Sequence, residues 1–254
     1  RQFSIGESHI IGLSSQTQSI ITVTRNNNML QLWDQFGNSF GKEFKIGEYD
    51  RITLSPNGKI IVTSKDIDSK GEDSQLLSLW DLKGKRIGKP IQIDHKVTSI
   101  ALSPDGNKII TGIGLSNEIR LWDLTGKQIG NTFRGHPDNI HSVAFSPNGE
   151  YTVSQSVCNT DECPLESSTR PTLWLLDLEG NPIGNFLHIG YATDNIPVTS
   201  DSKYILTYSG VLYPANWEGG LEVACNRLRY HPVLQKPKTD EAKAAKETCQ
   251  KYIW

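Results

Sequence analysis

The chain has 254 residues, enough for one large domain or two small ones with a sizeable core. Its 26 basic and 28 acidic side chains leave a net charge of −2 and a pI near 6.3, which argues against a polybasic nucleic-acid binder and against an acidic solvating tail. Glycine and proline number 22 and 12, whereas alanine occurs eight times, five of them at or after residue 215, so the body reads as all-β and the composition changes near 215.

No run of 18 apolar residues exists, and residues 1 to 20 lack a basic segment followed by an apolar one, so neither a membrane span nor a signal peptide is visible. The chain opens on Arg1 and its single methionine is Met29, which reads as a piece of a longer protein. Four cysteines do not make a disulfide scaffold at this length. A reducing cytoplasm is therefore the expected setting.

In chain order, Gln2 to Ile5 reads as an outer strand, and a repeat follows. Leu32-Trp33-Asp34 recurs as Leu79-Trp80-Asp81 and Leu121-Trp122-Asp123, with the tryptophans 47 and then 42 residues apart. Between them stand Ser55-Pro56-Asn57-Gly58, Ser103-Pro104-Asp105-Gly106 and Ser146-Pro147-Asn148-Gly149, each a turn signal. A third element follows each Trp-Asp position: Leu82 to Gly88, Leu124 to Gly130, Leu178 to Gly184. Within a repeat the pattern is strand-like, as in Ile140 to Phe145, where apolar residues alternate with small or polar ones up to the Pro-Asn-Gly turn. Each repeat thus predicts one four-stranded antiparallel sheet, which cannot bury both faces unless neighbours stack on it.

These motifs resemble the WD40-repeat β-propeller over roughly residues 1 to 214, most specifically from Gly135-His136 to Asp177, the next counterpart of Asp123. The resemblance implies a hydrogen-bonded network in which the Trp of the third strand joins a Ser or Thr of the second, a His before the first and an Asp in the second-to-third turn. This chain departs from it. Only His136 sits in a Gly-His pair, the turn aspartate is replaced by Asn27 and Ser116 in the first and third repeats, and alignment on Asp177 puts Leu176 in the Trp slot with Trp174 two residues earlier. No repeat is expected to carry the whole network, leaving apolar stacking between blades to hold the structure.

A fifth repeat begins at Ile196 to Thr199, with Tyr213 in the Trp slot, and lacks its own fourth strand. Gln2 to Ile5 could supply that strand in a five-bladed ring; the alternative is a longer parent whose earlier blades precede Arg1. The tail, 215–254, has helical periodicity: Trp217, Leu221, Ala224, Cys225 and Leu228, then Ala242, Ala245, Cys249, Tyr252 and Ile253, with Thr239 as N-cap. It reads as a helical hairpin packed on the last blade, with Cys225 and Cys249 as buried free thiols. The segment Trp217 to Leu228 resembles the C-terminal end of long bacterial WD-repeat proteins of the cyanobacterial type. There the propeller follows a signalling NTPase or a caspase-like peptidase module, which implies a sensor or docking role.

Candidate sites are sparse. Asp66 to Asp73 mimics the start of an EF-hand, but Lys70 and Leu77 stand at positions 5 and 12, where oxygen ligands are needed, and strands replace the flanking helices. Cys158 and Cys163 lack two further zinc ligands nearby. No catalytic or metal residue and no cofactor is assigned. The informative feature is positional: two second-to-third strand loops, Lys65 to Gln75 and Ser156 to Pro171, are enlarged and polar. Lys65, Asp66, Asp68, Glu72, Asp73, Asp161, Glu162 and Glu166 are accordingly the expected contacts for a basic protein or peptide. Trp33, Asp34, Trp80, Asp81, Trp122, Asp123, His136, Trp174 and Asp177 are assigned to the repeat framework. The resulting reading is an all-β, non-enzymatic interaction module of a larger signalling protein. A propeller enzyme acting through carboxylates or histidines at the axial channel is the alternative, and a nucleic-acid-binding arc is disfavoured by the charge.

Overall fold

A computed structural model describes residues 8–14, 18–24, 28–67, 74–157, 172–183, 187–188, 196–206, 211–215, 224–226, 229, 235–237 and 239–253. The chain divides into two compact units, Arg1–Ile196 and Pro197–Trp254. In the first unit the described strands form four four-stranded antiparallel sheets, each in chain order. Sheet one holds β1 (Ser8–Ser14), β2 (Ser19–Thr24), β3 (Met29–Asp34) and β4 (Ser39–Lys45); sheet two holds β5 (Arg51–Leu54), β6 (Ile60–Ile67), β7 (Ser74–Asp81) and β8 (Arg86–Ile93). Sheet three holds β9 (Val97–Leu102), β10 (Lys108–Ile113), β11 (Glu118–Asp123) and β12 (Gln128–Phe133); sheet four holds β13 (Ile140–Phe145), β14 (Thr152–Ser156), β15 (Thr172–Leu176) and β16 (Leu187–His188). The first strands β1, β5, β9 and β13 contact one another in succession, and so line a common axis.

The second strands β6 and β10 are apolar on both faces because each separates two cores. Ile61 packs with Ile21 and Leu30 of sheet one, whereas its neighbour Val62 packs with Val97 and Ile109 of sheet three. Ile109 likewise belongs to the core shared with sheet two, and Ile110 to the core with Ile140, Val143 and Leu176 of sheet four. Alternation across the strand sends adjacent residues to opposite faces, so a doublet of β-branched residues is what a sheet covered on both sides requires.

Two turns recur. Between first and second strands, Ser55 Oγ accepts from Ile60 N at 2.9 Å, Ser103 Oγ from Lys108 N at 2.9 Å and Ser146 Oγ from Tyr151 N at 3.1 Å. Between third and fourth strands, one carboxylate oxygen accepts two backbone N–H groups: Asp34 from Phe36 and Asn38, Asp81 from Lys83 and Lys85, Asp123 from Thr125 and Lys127, Asp177 from Glu179 and Asn181, all at 2.8–3.0 Å. Three residues after each aspartate stands a glycine in the left-handed region, φ +80° at Gly84, +88° at Gly126 and +83° at Gly180. The same glycines meet the outer strand of the preceding sheet: an added Cβ would lie 2.5 Å from Phe44 at Gly84, 3.0 Å from Ile91 at Gly126 and 2.3 Å from the Asn131 carbonyl oxygen at Gly180.

In the second unit β17 (Tyr204–Leu206) pairs with β18 (Leu212–Pro214), and Thr199 Oγ1 accepts from Tyr204 N at 3.0 Å, repeating the first-to-second strand turn. Tyr213 lies opposite Ile205, the register in which Trp122 faces Ile109, so it occupies the Trp slot as expected. Helix α1 (Asp240–Tyr252) starts at Thr239, whose Oγ1 accepts from Ala242 N at 3.2 Å. Its buried stripe is Ala242 and Cys249 with half-buried Lys246 and Ile253; Ala245, expected on that stripe, is exposed, because the stripe advances by four and then three residues. Residues 224–226 are helical, and the remainder of the expected first tail helix lies outside the described residues, as do Gln2 to Ile5.

Cys225 and Cys249, expected as free thiols, are joined in a disulfide and are 0 % and 4 % exposed. Two cysteines on separate apolar stripes face each other once the stripes pack, which periodicity alone does not reveal. The expectation of a reducing cytoplasm loses one of its supports. Cys158 and Cys163 lie outside the described residues.

Gly180→Ala is expected to cost on the order of 3 kcal/mol, because strain at positive φ adds to a collision with backbone. Gly47→Ala, at φ +78° with nothing within 4 Å, is expected to cost about 1 kcal/mol. Urea denaturation of the two variants measures the difference. Non-reducing peptide mapping is expected to recover the Cys225 and Cys249 peptides cross-linked. Cys249→Ser is expected to remove about 3 kcal/mol, read from the helical CD transition, for the 24-residue separation.

Candidate functional site

The repeat tryptophans make the expected bond to the second strand in three sheets. Trp33 Nε1 donates to Thr22 Oγ1 at 2.8 Å, Trp80 to Thr63 at 3.0 Å and Trp122 to Thr111 at 2.9 Å. In the fourth sheet Leu176, fully buried opposite Thr152, holds the Trp slot, and Trp174 packs edge-on against Phe133 with ring centroids 5.1 Å apart. That sheet has the other half of the network instead. His136 Nε2 is 2.7 Å from Ser154 Oγ and Nδ1 is 3.3 Å from Thr172 Oγ1, which in turn meets Ser156 Oγ at 2.7 Å. Among the described residues, then, Trp–Thr and His–Ser bonds occur in different sheets. Burial pushes the His136 imidazole down to about 3, so it is neutral in the folded protein and acts as a framework group.

Where the third repeat has Ser116 in place of the turn aspartate, a different device stands close by. Glu118, 5 % exposed, accepts from Arg120 Nε at 2.9 Å and from Arg134 Nε at 2.8 Å. Burial raises its carboxyl, and the two guanidiniums outweigh that effect and hold it below the usual carboxylate range. Sequence reading missed this cluster. The signal was Glu118-Ile119-Arg120, an alternation that puts acid and base on one face of β11.

Of the acidic loop residues, Asp66 lies within the described set, with Lys65 beside it. Lys65 Nζ pairs with Glu48 at 2.5 Å, both side chains exposed. Asp66 accepts from Gln75 Nε2, and its own N–H donates to Asp50 Oδ2 at 2.5 Å. β6 and β7 flank this loop, so the helices a calcium loop needs are replaced by strands as expected. Asp68, Glu72, Asp73, Asp161, Glu162 and Glu166 lie outside the described residues.

A concavity lies elsewhere, at the end of the axis where the first strands begin. An open cleft of about 500 Å³ is lined by Arg51, Lys96, Leu115, Asn139 and His141, with Thr98, Ser99, Gly114 and Ile140 completing its wall. Its backbone is pinned: Gly114 N donates to Lys96 O at 3.1 Å, Val157 N to Asn139 O at 3.0 Å and Val143 N to Ser99 Oγ at 3.1 Å. A second concavity, along the first strands from Thr53 and Leu54 through Ser99 to Leu102 and Ser142 to Phe145, is lined by hydroxyl and apolar side chains. These mouth residues were also missed. Arg51, His141 and Lys96 stand four, five and seven positions before Ser55, Ser146 and Ser103 respectively, so no single repeat offset marked them in the sequence.

Sheets ordered in this way are blades of a β-propeller. The family model for the WD domain, G-beta repeat, matches residues 88–123 and 127–160. The WD repeat-containing protein srw1 of Schizosaccharomyces pombe is 25 % identical over 149 residues, covering 58 % of this chain and 26 % of the relative, so this chain spans about a quarter of that protein's length. Among solved structures, Kuenenia stuttgartiensis hydrazine synthase is similar with a TM-score of 0.55 at 17 % identity, over 81 % of this chain and 57 % of that one, a likeness of fold alone.

His136 makes stability pH-dependent. The unfolded chain protonates this group near its ordinary 6.5 and the folded one does not until about 3, so its contribution is complete above 6.5 and is lost as pH falls between those values. The loss is expected to reach about 2 kcal/mol at pH 5 and to vanish in His136→Asn. Glu118 contributes only above the ordinary carboxylate range and loses its share in more acidic solution as its folded form protonates. Urea midpoints measured from pH 8 to pH 3 test both.

Proposed function

We propose that this chain is a non-enzymatic scaffold module that docks a protein or peptide on the face where its first strands begin. The observation that carries the reading is the pinned, open axial cleft. It is a rigid framework with exposed Arg51, Lys96, Leu115 and Asn139 around it, the arrangement by which loops and strand ends on stable scaffolds recognise partners. The WD40 matches support the same role, since repeats of this kind generally serve as protein-interaction scaffolds. The enzymatic alternative calls for clustered carboxylates or histidines on the axis; the residues lining the two described concavities include His141 and no carboxylate.

A sensor or docking part of a larger signalling protein, with an NTPase or peptidase module before it, is the form this role takes if the tail resemblance is followed. The finer expectation of a basic partner rests on the enlarged loops. Their described acid, Asp66, is already engaged by Gln75 and lies against Asp50, so the described geometry puts the weight on the cleft. A photo-crosslinking residue placed at Leu115, which is 74 % exposed in the cleft wall, is expected to capture a protein partner from extracts of the native host. The same residue at Phe36, exposed on a turn of sheet one, is expected to capture none. Equal yields from both positions, or none from Leu115, would sink the reading. A Leu115 yield lost on deleting 65–75 and 156–171 would return the recognition to the acidic loops.

A further inference from the structure

We infer that the axial cleft receives an acidic peptide segment, an Asp or Glu side chain of the partner seated against Arg51 and Lys96 with an apolar neighbour on Leu115. The inference rests on the docking reading for the face involved and adds the chemistry of the occupant. Arg51 and Lys96 are both exposed in the cleft lining, and no carboxylate among the described residues pairs with either, although acids are present nearby at Glu48 and Asp50. Glu48 is committed to Lys65, and Asp50 accepts the Asp66 N–H.

Arg51 is also held in place. Its Nε donates to Val97 O at 3.2 Å, which fixes the guanidinium against the residue that follows Lys96 and leaves both terminal nitrogens for a ligand. Lys96 itself is anchored through its carbonyl to Gly114 N, beside Leu115. One wall therefore carries a planar fork suited to a carboxylate, held on the backbone of the residue after a second cation, Lys96, together with an exposed leucine side chain. Asn139 adds an amide that can both donate to and accept from a peptide backbone. Among the described residues the lining has no Phe, Tyr or Trp and two permanent cations, and the chain's net charge is −2, a poor match to a nucleic-acid strand. A lone inorganic anion would leave Leu115 and most of the 500 Å³ unused.

The test is retention of the intact chain on three peptide pools of equal length, randomised except at two positions fixed as Glu or Asp, as Gln or Asn, or as Lys. The acidic pool is expected to be retained over the other two. Lys96→Gln, whose parent side chain makes no bond to the framework among the described residues, is expected to weaken retention several-fold, and Arg51→Gln with it by about tenfold or more. Far-UV CD of both variants is expected to match the parent, and Lys96→Gln alone keeps the test valid if Arg51→Gln fails to fold. Preference for the Lys pool, indifference among pools, retention unaffected by the substitutions, or complete displacement by inorganic phosphate would each overturn the inference. Should the pools fail while Leu115 still captures a partner, the occupant's chemistry is wrong and the docking reading survives. The converse result would leave an acidic-peptide cleft without a protein partner.

Discussion

Every central strand of the first unit must be covered on both faces, and most of its structure follows from that constraint. The doublets Ile61-Val62 and Ile109-Ile110 divide their side chains between two cores, so no sheet is complete without the next. Stacking sheets this closely requires the edge of one to meet the edge of another without a side chain in the way. Gly84, Gly126 and Gly180 meet that requirement, each set against the outer strand of the preceding sheet. The carboxylates of Asp81, Asp123 and Asp177 fold the turns that place those glycines there. Removing one carboxylate would therefore disturb a turn and an inter-sheet contact together.

The polar bonds of the repeat are distributed as local substitutes for one another. Three sheets tie third strand to second through Trp and Thr. The fourth ties the segment before its first strand to its second and third strands through His136, Ser154 and Thr172. Around the third repeat Glu118 ties β11 to Arg134, on the same segment that leads to His136. Each device satisfies buried polar atoms at its own site, and an orphaned partner would cost more than the net value of the bond, about 1 kcal/mol. Sheets that satisfy their polar groups separately can diverge in sequence while the apolar stacking stays the same.

The sheet pattern and turn chemistry were legible because they depend on near neighbours in sequence: Asp with the amides two and four residues on, Ser with the amide five residues on, apolar alternation within a strand. Alignment on Asp177 put Leu176 in the tryptophan position, and the register agrees. What escaped depends on groups distant in sequence. Arg51, Lys96 and His141 come from three different repeats and share a cleft only because the first strands converge. Cys225 and Cys249 become partners only when two amphipathic segments are folded together. The acidic loops drew attention because enlarged loops stand out in a repeat, whereas the mouth residues replace others without changing its length.

The disulfide also alters what happens to the chain after damage. It closes the segment from Cys225 to Cys249, and both sulfurs are buried beside Ile253. A protease that cuts any peptide bond between the two cysteines breaks the main chain but not its covalent continuity. Helix α1 stays attached to residue 225, and refolding of a nicked tail remains a unimolecular event. The exposed helix surface can therefore be clipped without shedding the terminus.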